Sequence, residues 1–195
     1  MPSPEKFGQI LCEFGVSEKV TEKIYSGFED IKDKSAKPER AAFFSQAVSV
    51  MNESLTKEQV KEILEANACC KGGARERNSK QFAKENKELG LQERLELISE
   101  RPELYMGKAE LDEQGFLIVY GISYQPKGKF ECACPNVNQK KGAFEIPREY
   151  CYCCGGHFKY HYEIMLDVKL NLLEIVSSPH DTKGEEPCVF RYQIV

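Results

Sequence analysis

The pattern of apolar residues changes character near Pro102, and this change constrains the fold more than any other feature. Before it, apolar residues recur at helical spacing. In "SEKVTEKIYSGFEDIKDK" Ser17 stands as N-cap, and Val20, Ile24, Phe28 and Ile31 follow at intervals of four, four and three. "KPERAAFFSQAVSVMNESL" places Pro38 in a first turn and carries Phe43, Phe44, Ala47, Val48 and Met51. "TKEQVKEILEANACC" pairs Thr56 with Gln59 as a capping box and stops before Gly72-Gly73. Two further helices are predicted around 76–89 and 91–100, parted near Gly90. After Pro102 the period becomes two. "GKAELDEQGFLIVYGISY" predicts two strands about a turn at Asp112–Gly115, and "KFECACP" a third strand. "VKLNLLEIVSS" and "PCVFRYQIV" predict two more, with one helix over Cys153–Asp167. The expected class is α+β: a helical region, 1–101, then an antiparallel sheet with one main helix, 102–195, folded as one compact unit.

Composition narrows the function classes. The chain has 195 residues, 41% hydrophobic and 30% charged, as in a folded domain and not a disordered one. No run of about 18 apolar residues is present, so no membrane helix is expected. No basic-then-apolar leader opens the chain, so the expected compartment is the cytoplasm. The net charge of −4 argues against nucleic acid as a partner. One segment runs the other way: "KGGARERNSKQFAKENK" holds six Lys and Arg against two Glu. It reads as a solvated helix face, with an anion-binding patch as the sharper alternative. The pattern leaves a homodimer open.

Cysteine carries the chemistry. There are nine, and in a reducing compartment they point to metal ligation, reactive thiols or small buried apolar residues before disulfides. Five of them fall within 132–154. Cys132 and Cys134 alternate, so on a strand they share a face. Cys151 and Cys153 alternate too if the entrance to the helix is extended, and Cys154 lies beside them. Two such pairs suit a tetrahedral zinc ion, with an iron–sulfur cluster as the alternative. On the helix, His157 and His161 are four apart and share a face, and Cys153 and Cys154 precede His157 by four and three. A thiolate at a helix N-terminus is stabilised by the dipole, and a neighbouring imidazole completes a minimal nucleophile. Gly155 and Gly156, with His161, make a candidate cofactor or ligand cradle. The competing reading is packing, since five aromatic residues lie in 150–162. Cys12, on an apolar helix face, reads as a small buried residue, and His180, in a polar turn, as solvated. "ACCKGG" at 68–73 echoes "YCCGG" at 152–156, which raises the question of whether Cys69 and Cys70 face the same cavity.

The final segment, with Gly184, Cys188 and Phe190 in a glycine turn followed by a strand, resembles the end of 4-vinyl-reductase-type domains. It is also similar to the end of the L-2-amino-thiazoline-4-carboxylic acid hydrolase family. Over its whole length the chain resembles a group of uncharacterised bacterial proteins with the motifs "CCKGGARER" and "YCYCCGGHFKYHYE". The first resemblance implies a zinc site in which Cys151 or Cys153, Glu174 and Cys188 match. Ser177 stands where a further cysteine is expected, so Cys132, Cys134 or His180 would have to supply that ligand. The expected function is therefore a cytoplasmic small-molecule-binding protein with a cysteine-rich metal site, drawn from Cys132, Cys134, Cys151, Cys153, Cys154, His157, Glu174 and Cys188. The alternative is a thiol- or metal-dependent hydrolase of a small sulfur- or nitrogen-containing compound. A third reading leaves the cysteines as core.

Overall fold

The computed structural model describes residues 3–69, 72–105, 107–121, 125, 128–132, 134, 136–137 and 145–195. Among these the order is α1 (Pro4–Glu13), α2 (Glu18–Tyr25), α3 (Lys37–Ser54), α4 (Lys57–Ala66), α5 (Gly73–Glu85), α6 (Leu91–Glu100), α7 (Pro102–Tyr105), β1 (Lys108–Leu111), β2 (Leu117–Tyr120), a 3-10 turn (Arg148–Cys151), α8 (Tyr152–Leu166), β3 (Leu170–Ser177) and β4 (Val189–Ile194). The class is α+β, with helices preceding an antiparallel sheet, as expected. No helix among the described residues is long and apolar enough to cross a membrane. The chain forms two compact units. The first comprises 1–69 and 133–154, the second 70–132 and 155–195.

The first unit is built on α3, which buries Phe43, Phe44, Ala47, Val48 and Met51 completely. Phe7 of α1 meets Phe43 and Phe44 edge-on at 6.1 and 5.6 Å, and Tyr25 and Phe28 pack on Phe43. The capping box of α4 forms as expected. Thr56 Oγ1 accepts from the Gln59 amide, and Gln59 Oε1 accepts from the Thr56 amide. α2 is shorter than its apolar stripe. It ends at Tyr25 because Gly27 turns left-handed (φ 79°) and the Gln46 side-chain amide donates to the carbonyls of Ile24 and Ser26 at 3.1 and 2.8 Å. Those carbonyls are the ones a helix end leaves without partners. Phe28 and Ile31 complete the stripe from successive turns.

The second unit holds the sheet, in the order β1-β2-β4-β3, antiparallel throughout. The β1–β2 turn falls where expected: Asp112 Oδ1 accepts from the amides of Gln114 and Phe116, both at 2.9 Å. β3 and β4 shift register between Leu172 and Glu174, a bulge that turns both Leu173 and Glu174 outward. α8 lies on the sheet through Phe158 against Phe190 (5.4 Å) and through Gly155. A Cβ at Gly155 would come closer than 3.0 Å to Leu172 Cδ2 and to 3.5 Å from Phe190 Cδ1. Tyr192, fully buried, donates its hydroxyl to the Gly155 carbonyl at 2.8 Å. Arg94 of α6 is buried too, and its guanidinium donates to the carbonyls of Leu89, Met165 and Lys87. Of the expected third strand, the described residues form a single bridge at Glu131. Phe130 donates its amide to the Gly184 carbonyl at 2.9 Å.

Candidate functional site

Pro147 opens the 3-10 turn, which runs directly into α8. The entrance is therefore helical, not extended. Cys151 ends the 3-10 turn and Cys153 and Cys154 lie in the first turn of α8, so the strand-like alternation expected of Cys151 and Cys153 is corrected. Tyr150 is the pivot of this segment. It is 1% exposed and packs on Phe44 at 5.6 Å. Asn52 Nδ2 donates to Glu149 and Ser45 Oγ to the Glu145 carbonyl, which tie the same segment to α3.

A polar cluster gathers around Tyr150 inside this unit. Cys134 Sγ lies 3.4 Å from the phenolic oxygen, and Asn136 Nδ2 donates to that oxygen, also at 3.4 Å. The Val137 amide donates to the Cys134 carbonyl, a tight turn that presents Cys134 and Asn136 together. Cys153 donates its S–H to the carbonyl of Asn67, just past α4, at 3.5 Å. Burial first, then negative charge on Cys134 and on Cys153, push the Tyr150 phenol well above its ordinary pKa. Tyr150 therefore stays protonated. With Asn136 donating to its oxygen, the phenol has its proton available for the Cys134 sulfur. Cys134, Asn136, Tyr150, Cys153 and Asn67 are all buried. Cys151 is buried as well, and Cys69 and Cys154 are half-buried.

The second unit holds the rest of the expected set. His157 (5% exposed) and His161 (fully buried) share a face of α8, their rings 4.8 Å apart. α5 supplies their partners. Arg75 lies 3.4 Å from His157 Nε2, and Ser79 Oγ 3.0 Å from His161 Nδ1. A guanidinium only donates, so His157 Nε2 accepts and its proton sits on Nδ1. Ser79 gives its own proton to the Arg75 carbonyl at 3.0 Å, so it accepts from His161 Nδ1–H. The basic segment is thus more than a solvated face, since two of its residues, four apart, meet two histidines four apart. On its outer side Glu76 pairs with Lys80, which draws the Glu76 carboxyl below its usual range.

Three other expected ligands, Cys132, Cys188 and Glu174, also belong to this unit. Cys132 is buried, and Cys188 is half-buried beside Gly121, whose amide donates to its carbonyl at 2.7 Å. Glu174 is exposed and paired with Arg191 at 3.6 Å, and Arg191 also meets Asp112 at 2.9 Å. At Gly155 the close approach that a glycine permits is made by Leu172 and Phe190, and Gly156 is buried. Among the described residues no three His, Cys, Asp or Glu side chains are grouped to hold a metal ion. Cys70 lies outside the described residues.

Two of the bland expectations change. Cys12 is exposed, because α1 turns Phe7, Ile10 and Leu11 inward. It lines an open cleft of about 460 Å³ with Gly8, Glu18 and Tyr25. His180 is half-buried, and its Nε2 has no partner among the described residues. Asn67, Asn136, Arg75 and Ser79 belong to no ligand motif that the sequence displays. The i, i+4 spacing of Arg75 and Ser79 was visible, but which helix faced it was not. No protein-family model matches this chain, and no curated protein matches it either.

Proposed function

We propose that this is a cytoplasmic binding protein that takes a thiophilic ligand, zinc foremost, at Cys134 and Cys153, and through it a small molecule. One observation carries this reading. Cys134 of the motif "CAC" meets the phenol of Tyr150 at 3.4 Å and Cys153 of "CYCC" meets the Asn67 carbonyl at 3.5 Å, both buried in the same compact unit. Zinc favours four ligands, and sites with fewer protein ligands keep positions open for water or substrate. Two thiolates therefore describe an open, exchangeable centre and not a closed structural one. The resemblance to vinyl-reductase-type domains, read from the sequence of the last strands, would imply a small-molecule partner.

The test is elemental analysis of anaerobically purified protein, with its visible spectrum. About one zinc per chain without colour is expected, lost in Cys134→Ser and in Cys153→Ser and kept in Cys12→Ser. Absence of metal from the unsubstituted protein refutes the reading, and brown absorption replaces zinc with an iron–sulfur cluster.

A further inference from the structure

Two carboxamides of the Tyr150 cluster are each left with an unsatisfied atom. Asn67 is 3% exposed and Asn136 1% exposed. Asn67 Nδ2 and Asn136 Oδ1 nevertheless have no hydrogen-bond partner among the described residues. Buried polar groups in this condition are rare and destabilising, so each calls for an explanation. Both residues are held by the thiol cluster itself. Asn136 spends its amide N–H on Tyr150, and the Asn67 carbonyl receives the S–H of Cys153. What they leave over is the N–H donors of Asn67 Nδ2 and the carbonyl acceptor of Asn136 Oδ1. Apart from the two ionisable thiols, the side chains of the cluster are neutral, so a neutral polar group is the organic guest that Asn67 and Asn136 can match without leaving a charge uncompensated.

We infer that Asn67 and Asn136 are recognition groups for a neutral carboxamide, a primary amide or urea-like group, bound beside Cys134 and Cys153. Such a group carries an acceptor for Asn67 Nδ2 and a donor for Asn136 Oδ1. The inference deepens the small-molecule side of the proposed function and rests on that reading of the cluster.

Iodoacetamide is a primary carboxamide that also alkylates thiols. Sulfur attacks its CH2 carbon, the C–I bond breaks, iodide leaves with the electron pair, and the thiol proton goes to buffer. The experiment compares iodoacetamide with its N,N-dimethyl analogue, which lacks the N–H donor, on chelator-treated full-length protein. Labelling at each cysteine is read by peptide mass spectrometry, with exposed Cys12 as internal reference. At Cys134 or Cys153 the primary amide is expected to saturate with concentration, to be favoured at least about tenfold over the dimethyl reagent relative to Cys12, and to be slowed by acetamide. Asn136→Ala is expected to return the ratio to that of Cys12. The inference is overturned if both reagents label these cysteines in the Cys12 ratio, or if acetamide has no effect, as expected were the two atoms merely bridged by water. Metal content of the same preparation before chelation separates the two ideas. Selective labelling without metal sinks only the zinc reading, and metal without selectivity sinks only this one.

Discussion

Gly155→Ala is the most direct probe of how α8 sits on the sheet. In an ordinary helix interior the change is favourable by about 1 kcal/mol. Here the added methyl would crowd Leu172 Cδ2 and meet Leu172 Cδ1 and Phe190 Cδ1 at 3.5 Å. Leu172 and Phe190 are both fully buried, so neither has space to swing into. Overpacking of this kind costs about 1–3 kcal/mol. The shift of the helix that this crowding forces also stretches the 2.8 Å bond from the Tyr192 hydroxyl to the Gly155 carbonyl, which adds about 1 kcal/mol. The net expectation is a loss of about 1–3 kcal/mol, read by urea denaturation followed by far-UV circular dichroism. Leu172→Ala alone is expected to cost about 2–5 kcal/mol. Combined with Gly155→Ala it should cost clearly less than the sum, because the new methyl occupies part of the space that leucine vacates. A Gly155→Ala protein as stable as the parent, or strict additivity in the double variant, would refute the packing argument.

Two pH dependences follow from burial. Tyr25 donates its hydroxyl to the Pro4 carbonyl at 2.8 Å, and burial pushes it from 10.0 to about 12. The unfolded chain ionises first, so its contribution is intact below pH 10 and is lost as pH rises to about 12. Tyr25→Phe should flatten the alkaline fall in melting temperature, and an unchanged fall would refute the assignment. Burial lowers the pKa of His180 below 6.5, outweighing the opposing Asp181. The unfolded state then takes up the proton first, and stability declines as pH drops below 6.5. An acid limb identical in His180→Asn would count against it.

Legibility in the sequence divides by distance along the chain. The capping box at Thr56–Gln59 and the Asp112 turn were readable because every partner lies within four residues. The helix and the last two strands were readable from period alone. The early end of α2 was not, because the groups that cap it come from Gln46, some twenty residues away. Cys12 was misread since a cysteine beside an apolar stripe gives no sign of which side of its edge it occupies. The same limit governs the candidate sites. Cys134 and Cys153 were visible as ligand-forming residue types, but their neighbour Asn67 is 86 residues from Cys153 and has no motif of its own. Gly155 was recognised as a place of close approach, while the identity of what approaches, Leu172, depends on the sheet register.

The sheet order has a consequence for biosynthesis. β4 is the last of the four strands to leave the ribosome, yet it is an inner strand, flanked by β2 and β3. Until it emerges, the β1–β2 hairpin carries an open edge along Leu117–Tyr120, and β3 has no strand to pair with. A single late segment closes both gaps at once. The nascent chain thus passes through an interval in which an apolar hairpin edge and a lone apolar strand are exposed together, the condition that invites pairing with other chains. Ribosome-bound intermediates stalled before Val189 should therefore draw holdase chaperones, and those released with β4 complete should not.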